Sequence, residues 1–258
     1  MREDGQKYRD FWPAEVQIVG KDILRFHAAI WPAMLIALDI PLPKVLLVHG
    51  FVLADGQKMS KSIGNVVDPI EIINSYGIDA FRYYFLRHIP TQDDGDFTWK
   101  KFETAYNNEL ANELGNLVQR VSSMITRYQE GVIGELPRPK HDAGSYHQAI
   151  SDLRFDQALD FIWMKIRELN IYLEEVKPWA IAKQGDAEHL QEVLLHSAAT
   201  LLQIAMLLEP FLPHTSATIT KIFAGGVINL YKGVLFPKIY QYTKTQESTQ
   251  LSEPGASS

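Results

Sequence analysis

The sequence predicts an α/β plus all-α chain, in which half of a nucleotide-binding sheet precedes a bundle of helices. Two short apolar runs, at residues 15–20 and 45–50, flank a helical pattern, and this order is typical of a βαβ unit. From residue 98 onward, the apolar residues recur at the spacing of long amphipathic helices. With 258 residues, the chain is long enough for one large domain or two smaller ones.

Composition is that of an ordinary soluble globular protein, with 46% hydrophobic and 22% charged residues. No apolar run reaches membrane-spanning length and residues 1–10 are polar, so we expect no membrane partner and no signal peptide. The chain has no cysteine, which excludes disulfides and thiolate metal sites; we expect no metal site in this chain and a cytoplasmic location. Because the net charge is −6, any contact with RNA must come from a local basic or aromatic patch.

The βαβ unit directs attention to the carboxyl ends of its two strands, where parallel sheets bind their ligands. Those ends are Gly20-Lys21-Asp22 and His49-Gly50. The helix predicted over residues 21–39 contains a proline that should kink it, and its apolar residues should pack inward. These residues are Ile23, Phe26, Ile30 and Met34. Two strands are too few for a stable parallel sheet, so the unit is interpreted as half of a nucleotide-binding fold.

A cationic loop at residues 55–65 follows the second strand. It contains Lys58-Met59-Ser60-Lys61-Ser62, flanked by Gly56 and Gly64. Two ammonium groups can neutralise charge that develops on a phosphate ester, and the glycines permit the bends that closure requires. A pair of lysines alone would be interpreted as a solvated turn. The full five-residue string directly after a strand is a more specific signal of a phosphate-binding loop.

Helix signals follow the loop. Asp68 is a predicted N-cap, with Pro69 in the first turn and Gly77 at the helix end. A second helix is expected from residue 79, with Arg82 and Arg87 available to solvent or RNA. Residues 91–96 are predicted to form a polar turn.

A long helix is predicted over residues 99–130, with Thr98 as its N-cap. Beside its apolar stripe, four polar side chains spaced by four residues share one face, namely Asn108, Asn112, Asn116 and Arg120. Asparagine is a poor helix former, so the presence of three asparagines on one helix face has to be explained. Bonding to neighbouring helices and reading of RNA base edges both remain open.

The rest of the chain is also predicted to be mostly helical. A proline-rich connector at residues 136–144 precedes helices at 145–177, 187–208 and 215–223. Pro178 restarts the chain after the first of these, and residues 227–236 are expected to be extended. Residues 241–258 are rich in Ser, Thr, Gln and Gly, which predicts a disordered tail.

Taken as a set, these motifs resemble the methionyl-tRNA synthetases, which are class I aminoacyl-tRNA synthetases. The resemblance covers residues from about 11 to 235 and includes the KMSKS string. The other matching segments are Gly20-Lys21-Asp22-Ile23, Phe26-His27, Trp31-Pro32-Ala33-Met34-Leu35, His49-Gly50-Phe51, Gly64-Asn65, Tyr76-Gly77-Ile78-Asp79, Arg82-Tyr83-Tyr84, Asn112-Glu113-Leu114-Gly115-Asn116-Leu117, Arg120, Lys177-Pro178-Trp179 and Ala182-Lys183.

The sequence departs from the family because the His-Ile-Gly-His signature is absent. The chain therefore looks like the C-terminal half of such an enzyme. The resemblance implies three regions: residues 1–97 as the C-terminal part of a Rossmann-type catalytic domain, 98–240 as a helical anticodon-binding domain, and 241–258 as the tail.

The resemblance also implies the site residues. Lys58 and Lys61 would be catalytic and would contact the phosphates of ATP, which binds with Mg²⁺ as a substrate. The remaining ATP-binding residues would be Gly20, Asp22, His49 and Gly50. His27 and Trp31 would line the site for L-methionine. Asn116, Arg120 and Trp179 would read the anticodon of tRNA(Met). Considered alone, His27, Trp31 and Trp179 would be interpreted as core residues.

The functional hypothesis is a fragment of a methionine–tRNA ligase, an enzyme that activates methionine with ATP and transfers it to tRNA. One alternative is a non-catalytic module that binds a tRNA anticodon. Another is one half of a split synthetase whose partner supplies the missing N-terminal half. The sequence alone does not separate these from a truncated gene or a pseudo-enzyme.

Overall fold

The computed structural model describes residues 5–60, 62–136, 143–228, 231 and 233–239. Over these residues the chain is mixed α/β and mostly helical, with two small sheets. The predicted combination of α/β and helical structure is confirmed at this level. Lys61 and the predicted tail lie outside the described residues, as does most of the proline-rich connector.

The N-terminal region forms the predicted βαβ unit. Strands β1 and β2 pair in parallel, with Gly20 beside His49 at their carboxyl ends. The connecting helix is divided into three segments, and the third begins around Pro32. The elements are α1 (Gly5–Phe11), β1 (Val16–Gly20), a 3₁₀ turn (Lys21–Ile23), a π-helix (Phe26–Ile30), α2 (Trp31–Ala37) and β2 (Val45–His49).

The apolar residues of this connecting helix do not pack inward. Ile23, Phe26, Ile30 and Met34 are between 40% and 57% exposed. Ile18 on β1 is also exposed, at 64%. The prediction of an inward face is wrong for the described chain, because no described element covers these side chains.

A second sheet contains three short strands, β3 (Val52–Ala54), β4 (Gln57–Lys58) and β5 (Gly95–Phe97). β3 pairs with β4 as a hairpin and with β5 in parallel. Asp55 and Gly56 form the hairpin turn with φ values of 51° and 73°, which suits a two-residue turn. The predicted loop at 55–65 and the predicted turn at 91–96 therefore each contain strand residues, which corrects both predictions.

Helices α3 (Pro69–Tyr76) and α4 (Ile78–Arg87) begin near the predicted positions. Asp68 Oδ1 accepts a hydrogen bond from Ile70 N at 2.9 Å, so the predicted N-cap is confirmed. The prediction that the arginines of α4 are available to solvent or RNA is wrong. Arg82 donates to the carbonyl oxygens of Phe211 and Pro210, and Arg87 is buried in an ion-pair cluster.

The remaining helices form a bundle. The predicted helix over 99–130 is observed as two α-helices separated by a ten-residue π-helix. The predicted helix over 145–177 is broken at Leu153, where φ is 56°. The elements are α5 (Trp99–Ala105), a π-helix (Tyr106–Gly115), α6 (Asn116–Gln129), α7 (Gly144–Ser151), α8 (Phe155–Val176), α9 (Pro178–Gln184), α10 (Ala187–Leu208) and α11 (Pro213–Phe223).

The main buried core joins α3 and α4 to the bundle. Tyr83 of α4 and Trp163 of α8 are fully buried and pack with ring centroids 4.3 Å apart. Asp79 Oδ2 accepts hydrogen bonds from the backbone and hydroxyl of Thr215. The region after the lysine loop is therefore fixed to the bundle by both apolar and polar contacts. The division of the chain at residue 97 stays a prediction.

Helix α10 is long and apolar enough to span a membrane: it has 22 residues and includes an 18-residue stretch with a mean hydropathy of 1.3. Half of that stretch is buried, and residues such as Leu194, Leu201 and Leu208 belong to the bundle core. We therefore interpret α10 as a core helix. It is the one exception, among the described residues, to the expectation that no apolar stretch reaches that length.

Candidate functional site

The carboxyl ends of β1 and β2 bring three of the predicted ATP-binding residues together. A methyl group on Gly20 would lie 2.6 Å from Asp22 Oδ1 and 3.7 Å from His49 Cε1. The Asp22 carboxylate and the His49 ring therefore both lie against Gly20, where the absence of a side chain leaves room. His49 Nδ1 lies 2.8 Å from Gly50 O, which fixes the ring orientation.

Lys58 lies at the same end of the parallel sheet. Its Nζ is 4.4 Å from the centroid of the Phe51 ring, and Phe51 follows His49 and Gly50 directly. Lys58 is exposed, and within the described residues its Nζ has no carboxylate or hydrogen-bond partner. The first lysine of the loop is thus an unpaired cation at the tip of the two strands.

Asn65 closes the loop that contains the lysines. Its Oδ1 accepts from Ser60 N at 2.8 Å, and its Nδ2 donates to Lys58 O at 3.3 Å. The hydroxyls of Ser60 and Ser62 lie 2.8 Å apart. The predicted catalytic residue Lys61 lies between these two serines, outside the described residues.

The predicted methionine-binding residues lie next to each other. The rings of His27 and Trp31 are 6.2 Å apart in an edge-to-face arrangement, and Trp12 contacts Trp31 at 5.6 Å. His27 Nδ1 lies 3.0 Å from Ile23 O one turn earlier. This partly exposed aromatic group suits an apolar ligand with a polarisable sulfur atom.

The predicted anticodon residues lie on the bundle. Arg120 Nη2 donates to Asn170 Oδ1 at 2.9 Å, and its other terminal nitrogen pairs with Glu174. Asn116 is exposed and lies 3.5 Å from Asn112, atom Nδ2 to atom Oδ1. Bonding to a neighbouring helix therefore explains part of the polar row, and exposed amide and guanidinium donors remain beside it.

Trp179 is the second residue of helix α9, which begins at Pro178. Its ring is half-buried and packs against the bundle core while part of it remains exposed. Lys177, immediately before the proline, has a left-handed φ of 52° and turns the chain between α8 and α9. A partly exposed indole on a fixed turn can provide a stacking surface for a nucleic-acid base.

A buried polar cluster lies between α4, the π-helix Tyr106–Gly115 and α8. Glu109 accepts hydrogen bonds from Tyr83 and His88 and pairs with Arg87, whose guanidinium lies 4.7 Å from the Trp163 ring. Burial raises the pKa of Tyr83, so the hydroxyl stays protonated and donates. Burial opposes ionisation of Glu109, but its hydrogen bonds and neighbouring cations outweigh burial and lower its pKa.

Sequence reasoning missed Phe51, Asp94 and Asn170 as residues that organise these sites. Phe51 is part of the matching His-Gly-Phe string, so it could have been noticed. Asp94 and Asn170 had no comparable signal, because each acts on residues more than 40 positions away in sequence. Among the described residues, no group of three His, Cys, Asp or Glu side chains is arranged to hold a metal ion.

The chain is similar to known tRNA synthetases. A family model described as class I tRNA synthetases (M) matches residues 1–122. The methionine–tRNA ligase of Listeria innocua is 40% identical over 269 aligned residues, which cover 98% of this chain and 40% of the relative. That of Bacillus subtilis is 42% identical over 226 residues, covering 83% of this chain and 34% of the relative.

Solved structures give the same result. The Mycobacterium tuberculosis methionyl-tRNA synthetase bound by methionyl-adenylate aligns with a TM-score of 0.81 and 30% identity, covering 91% of this chain and 52% of that chain. Its apo form aligns with a TM-score of 0.80 and 28% identity, again covering 52% of that chain.

The fold, the lysine loop and the family model together make the chain a class I tRNA synthetase homologue. Within that class, the chain is a homologue of part of the methionyl-tRNA synthetases, and the resemblance predicted from the motifs is confirmed. The chain spans about 40% of the length of the first curated relative it matches.

Proposed function

We propose that this chain supplies the lysine loop and the anticodon-binding part of a cytoplasmic methionine–tRNA ligase. The βαβ unit would be the C-terminal half of a Rossmann-type domain, and residues 98–240 would be the anticodon-binding bundle. The observation that carries the proposal is the Lys58 ammonium beside Phe51, at the rim where Gly20, Asp22 and His49 meet; among the described residues it has no acidic partner.

The proposed reaction begins with attack of the methionine carboxylate on the α-phosphorus of Mg²⁺-bound ATP. A carboxylate oxygen–phosphorus bond forms, and the bond from that phosphorus to the pyrophosphate oxygen breaks. Lys58 and Lys61 stabilise the negative charge that accumulates on the leaving pyrophosphate. The adenylate then transfers its methionyl group to a terminal hydroxyl of tRNA(Met), releasing AMP.

The other residues bind and orient the substrates. Asp22 is placed to accept hydrogen bonds from the ribose, with Gly20 allowing close approach of the nucleotide. His27 and Trp31 contact the methionine side chain. Holding the reacting groups in line is the main contribution that such a site makes to phosphoryl and adenylyl transfer.

Exchange of labelled pyrophosphate into ATP tests the proposed activity. The chain alone should show little methionine-dependent exchange, because it lacks the His-Ile-Gly-His signature. Exchange should appear after mixing with the separately produced N-terminal half of a close relative. In that mixture, Lys61→Ala should lower the exchange rate by an amount corresponding to about 3 kcal/mol.

Lys44→Ala is the matched control for that substitution. Lys44 is exposed and pairs only with Glu15 at 2.6 Å among the described residues, so its loss should leave exchange unchanged. Equal exchange rates for the Lys61→Ala mixture and the unsubstituted mixture would refute the catalytic role of the loop.

The exposed apolar face favours a second candidate, one half of a split synthetase. Ile18 on β1 and Phe26 on the connecting helix are exposed, and the outer edges of β1 and β2 are unpaired among the described residues. The occupant that fits this face is an α/β unit that adds parallel strands to the sheet. Phe26→Asp should abolish binding of such a half, whereas Val234→Asp, at an exposed apolar residue elsewhere, should not.

The non-catalytic alternative predicts a different outcome. A module that only holds tRNA would bind tRNA(Met) through the bundle, yet the mixture with the N-terminal half would show no methionine-dependent exchange although the two halves associate.

A further inference from the structure

Asp94 joins three segments at the strand tips. Its Oδ1 accepts a hydrogen bond from Phe51 N at 2.8 Å, and its carboxylate pairs with Lys21 Nζ at 2.6 Å. The hydrogen bond from Lys21 and that from the Phe51 amide lower the pKa of Asp94, so the carboxylate is ionised near neutral pH. One carboxylate thus fixes the Phe51 backbone and neutralises Lys21.

Phe51 in turn holds Lys58. The ring centroid lies 4.4 Å from Lys58 Nζ and 4.6 Å from Lys21 Nζ. A cation–π contact attracts an ammonium group without neutralising it. Because Asp94 compensates Lys21, the Phe51 cluster of Lys21, Phe51, Lys58 and Asp94 keeps one uncompensated cation, which is Lys58.

Backbone packing fixes Asp94 against the strand tip. A methyl group on Gly50 would lie 2.1 Å from Asp93 O, so the segment before β5 packs directly against Gly50. Gly95 N also donates to Phe51 O at 2.9 Å. The residues before and after Asp94 therefore both contact the segment that carries the ring.

We infer that Asp94 is a positioning residue for polyphosphate binding by Lys58. It acts through Phe51, whose ring holds the ammonium at the rim until phosphate oxygens replace the ring as its partner. The choice of a polyphosphate as ligand rests on the proposed function, whereas the ring contact itself does not.

Lysine side-chain NMR tests the ring contact on the chain as it exists, without nucleotide. The Lys58 ε-methylene signal, assigned by its loss in Lys58→Arg, should be shifted upfield by the Phe51 ring current. Phe51→Leu and Asp94→Asn should return it to the position of exposed lysines. Asp93→Asn makes the same charge change at an exposed side chain that forms no hydrogen bond or ion pair among the described residues, so it should leave the signal shifted.

Titration with inorganic pyrophosphate tests the positioning role. In the unsubstituted chain, pyrophosphate should move the Lys58 signal toward its exposed position. Asp94→Asn should raise the Kd by about tenfold, which corresponds to about 1.4 kcal/mol. Removal of a negative charge would by itself tighten anion binding, so Asp93→Asn should lower the Kd slightly. The two substitutions therefore shift the Kd in opposite directions only if Asp94 positions Lys58 through the Phe51 ring.

Three results would overturn the inference: an unshifted Lys58 signal in the unsubstituted chain, no response of that signal to pyrophosphate, or an Asp94→Asn Kd equal to or below the original. A different outcome would separate the two proposals. If the NMR and pyrophosphate results are as expected but the reconstituted mixture shows no methionine-dependent exchange, the proposed function is refuted and the positioning role of Asp94 is retained.

Discussion

Arg120, the arginine predicted to read the anticodon, is fixed by side chains of its own protein and still has N–H donors available. Asn170 accepts from Arg120 and donates to Glu113 O and Ile166 O, at 3.2 and 3.1 Å, so the amide that holds the guanidinium is itself fixed. The partner of the other terminal nitrogen, Glu174, is largely exposed. A guanidinium has five N–H donors, so several remain for base edges or phosphates.

Arg120→Ala should weaken binding of tRNA(Met) by about 1–3 kcal/mol and reduce discrimination against other anticodons. The reason is that a pre-oriented guanidinium provides directional hydrogen bonds to a base. Arg127→Ala, on the same helix, is the control. Arg127 is exposed and contacts the Tyr128 ring, so its loss should alter affinity little and discrimination not at all. Filter binding with transcripts that differ only in the anticodon measures both effects, and equal discrimination in both variants would contradict the role.

At the scale of elements, helix α4 connects the lysine-loop region to the bundle. It contacts α11 through Asp79, the segment after α10 through Arg82, and α8 through Arg87. Each contact pairs a charged group with a partner distant in sequence. Asp79 and the Arg87 side chain are buried, so loss of a partner would leave either of them unsatisfied.

Glu109→Gln should lower the free energy of unfolding by about 2 kcal/mol at pH 7, because it leaves the buried Arg87 guanidinium with less compensation. The folded pKa of Glu109 is lowered, so its stabilisation is present above the unfolded value of about 4.3 and is lost as pH falls through the folded pKa. Urea unfolding at several pH values should therefore show a difference that shrinks below about pH 4.3.

Glu168→Gln is the control, because Glu168 forms an exposed pair with Lys165 and should change stability by less than about 0.5 kcal/mol. A pH-independent difference for Glu109→Gln would contradict the assignment of its low pKa to this cluster.

Local signals predicted the helix starts and the parallel strands. Asp68 and Thr98 cap their helices as expected, with bonds to Ile70 N and Lys101 N, because capping depends on residues within one turn. The β3–β5 pairing was not predictable, since three-residue strands whose paired residues are 43 positions apart leave no periodic pattern. The hydrogen bonds of Arg82 and the burial of the Arg87 side chain were missed for a similar reason, because their partners lie on other elements.

For the candidate site, sequence alone could place Gly20 and His49 at one rim, because parallel strands end at the same edge. It could not show that the Lys58 ammonium contacts the Phe51 ring, or that Asp94 accepts a hydrogen bond from the Phe51 amide. These contacts depend on the hairpin and on β5 together. The roles of Asp22, His27, Trp31 and Trp179 remain predictions from the family.

The whole molecule consists of a tightly packed bundle and a sparsely covered βαβ unit. The bundle core is continuous from α3 to α11, whereas the connecting helix and β1 keep large apolar side chains exposed. Because contiguous exposed apolar surface usually marks an interface, the βαβ unit should depend on another α/β unit for catalysis. The bundle should bind tRNA without it.

The most direct test of this account is the affinity of the chain for a tRNA(Met) transcript with its CAU anticodon. That affinity is compared with the affinity for the same transcript in which only the anticodon is changed. The account predicts that the change weakens binding by at least tenfold, or about 1.4 kcal/mol, and that Trp179→Ala removes most of this difference. Equal affinity for the two transcripts would contradict the claim that this chain carries the anticodon-binding part of a methionyl-tRNA synthetase.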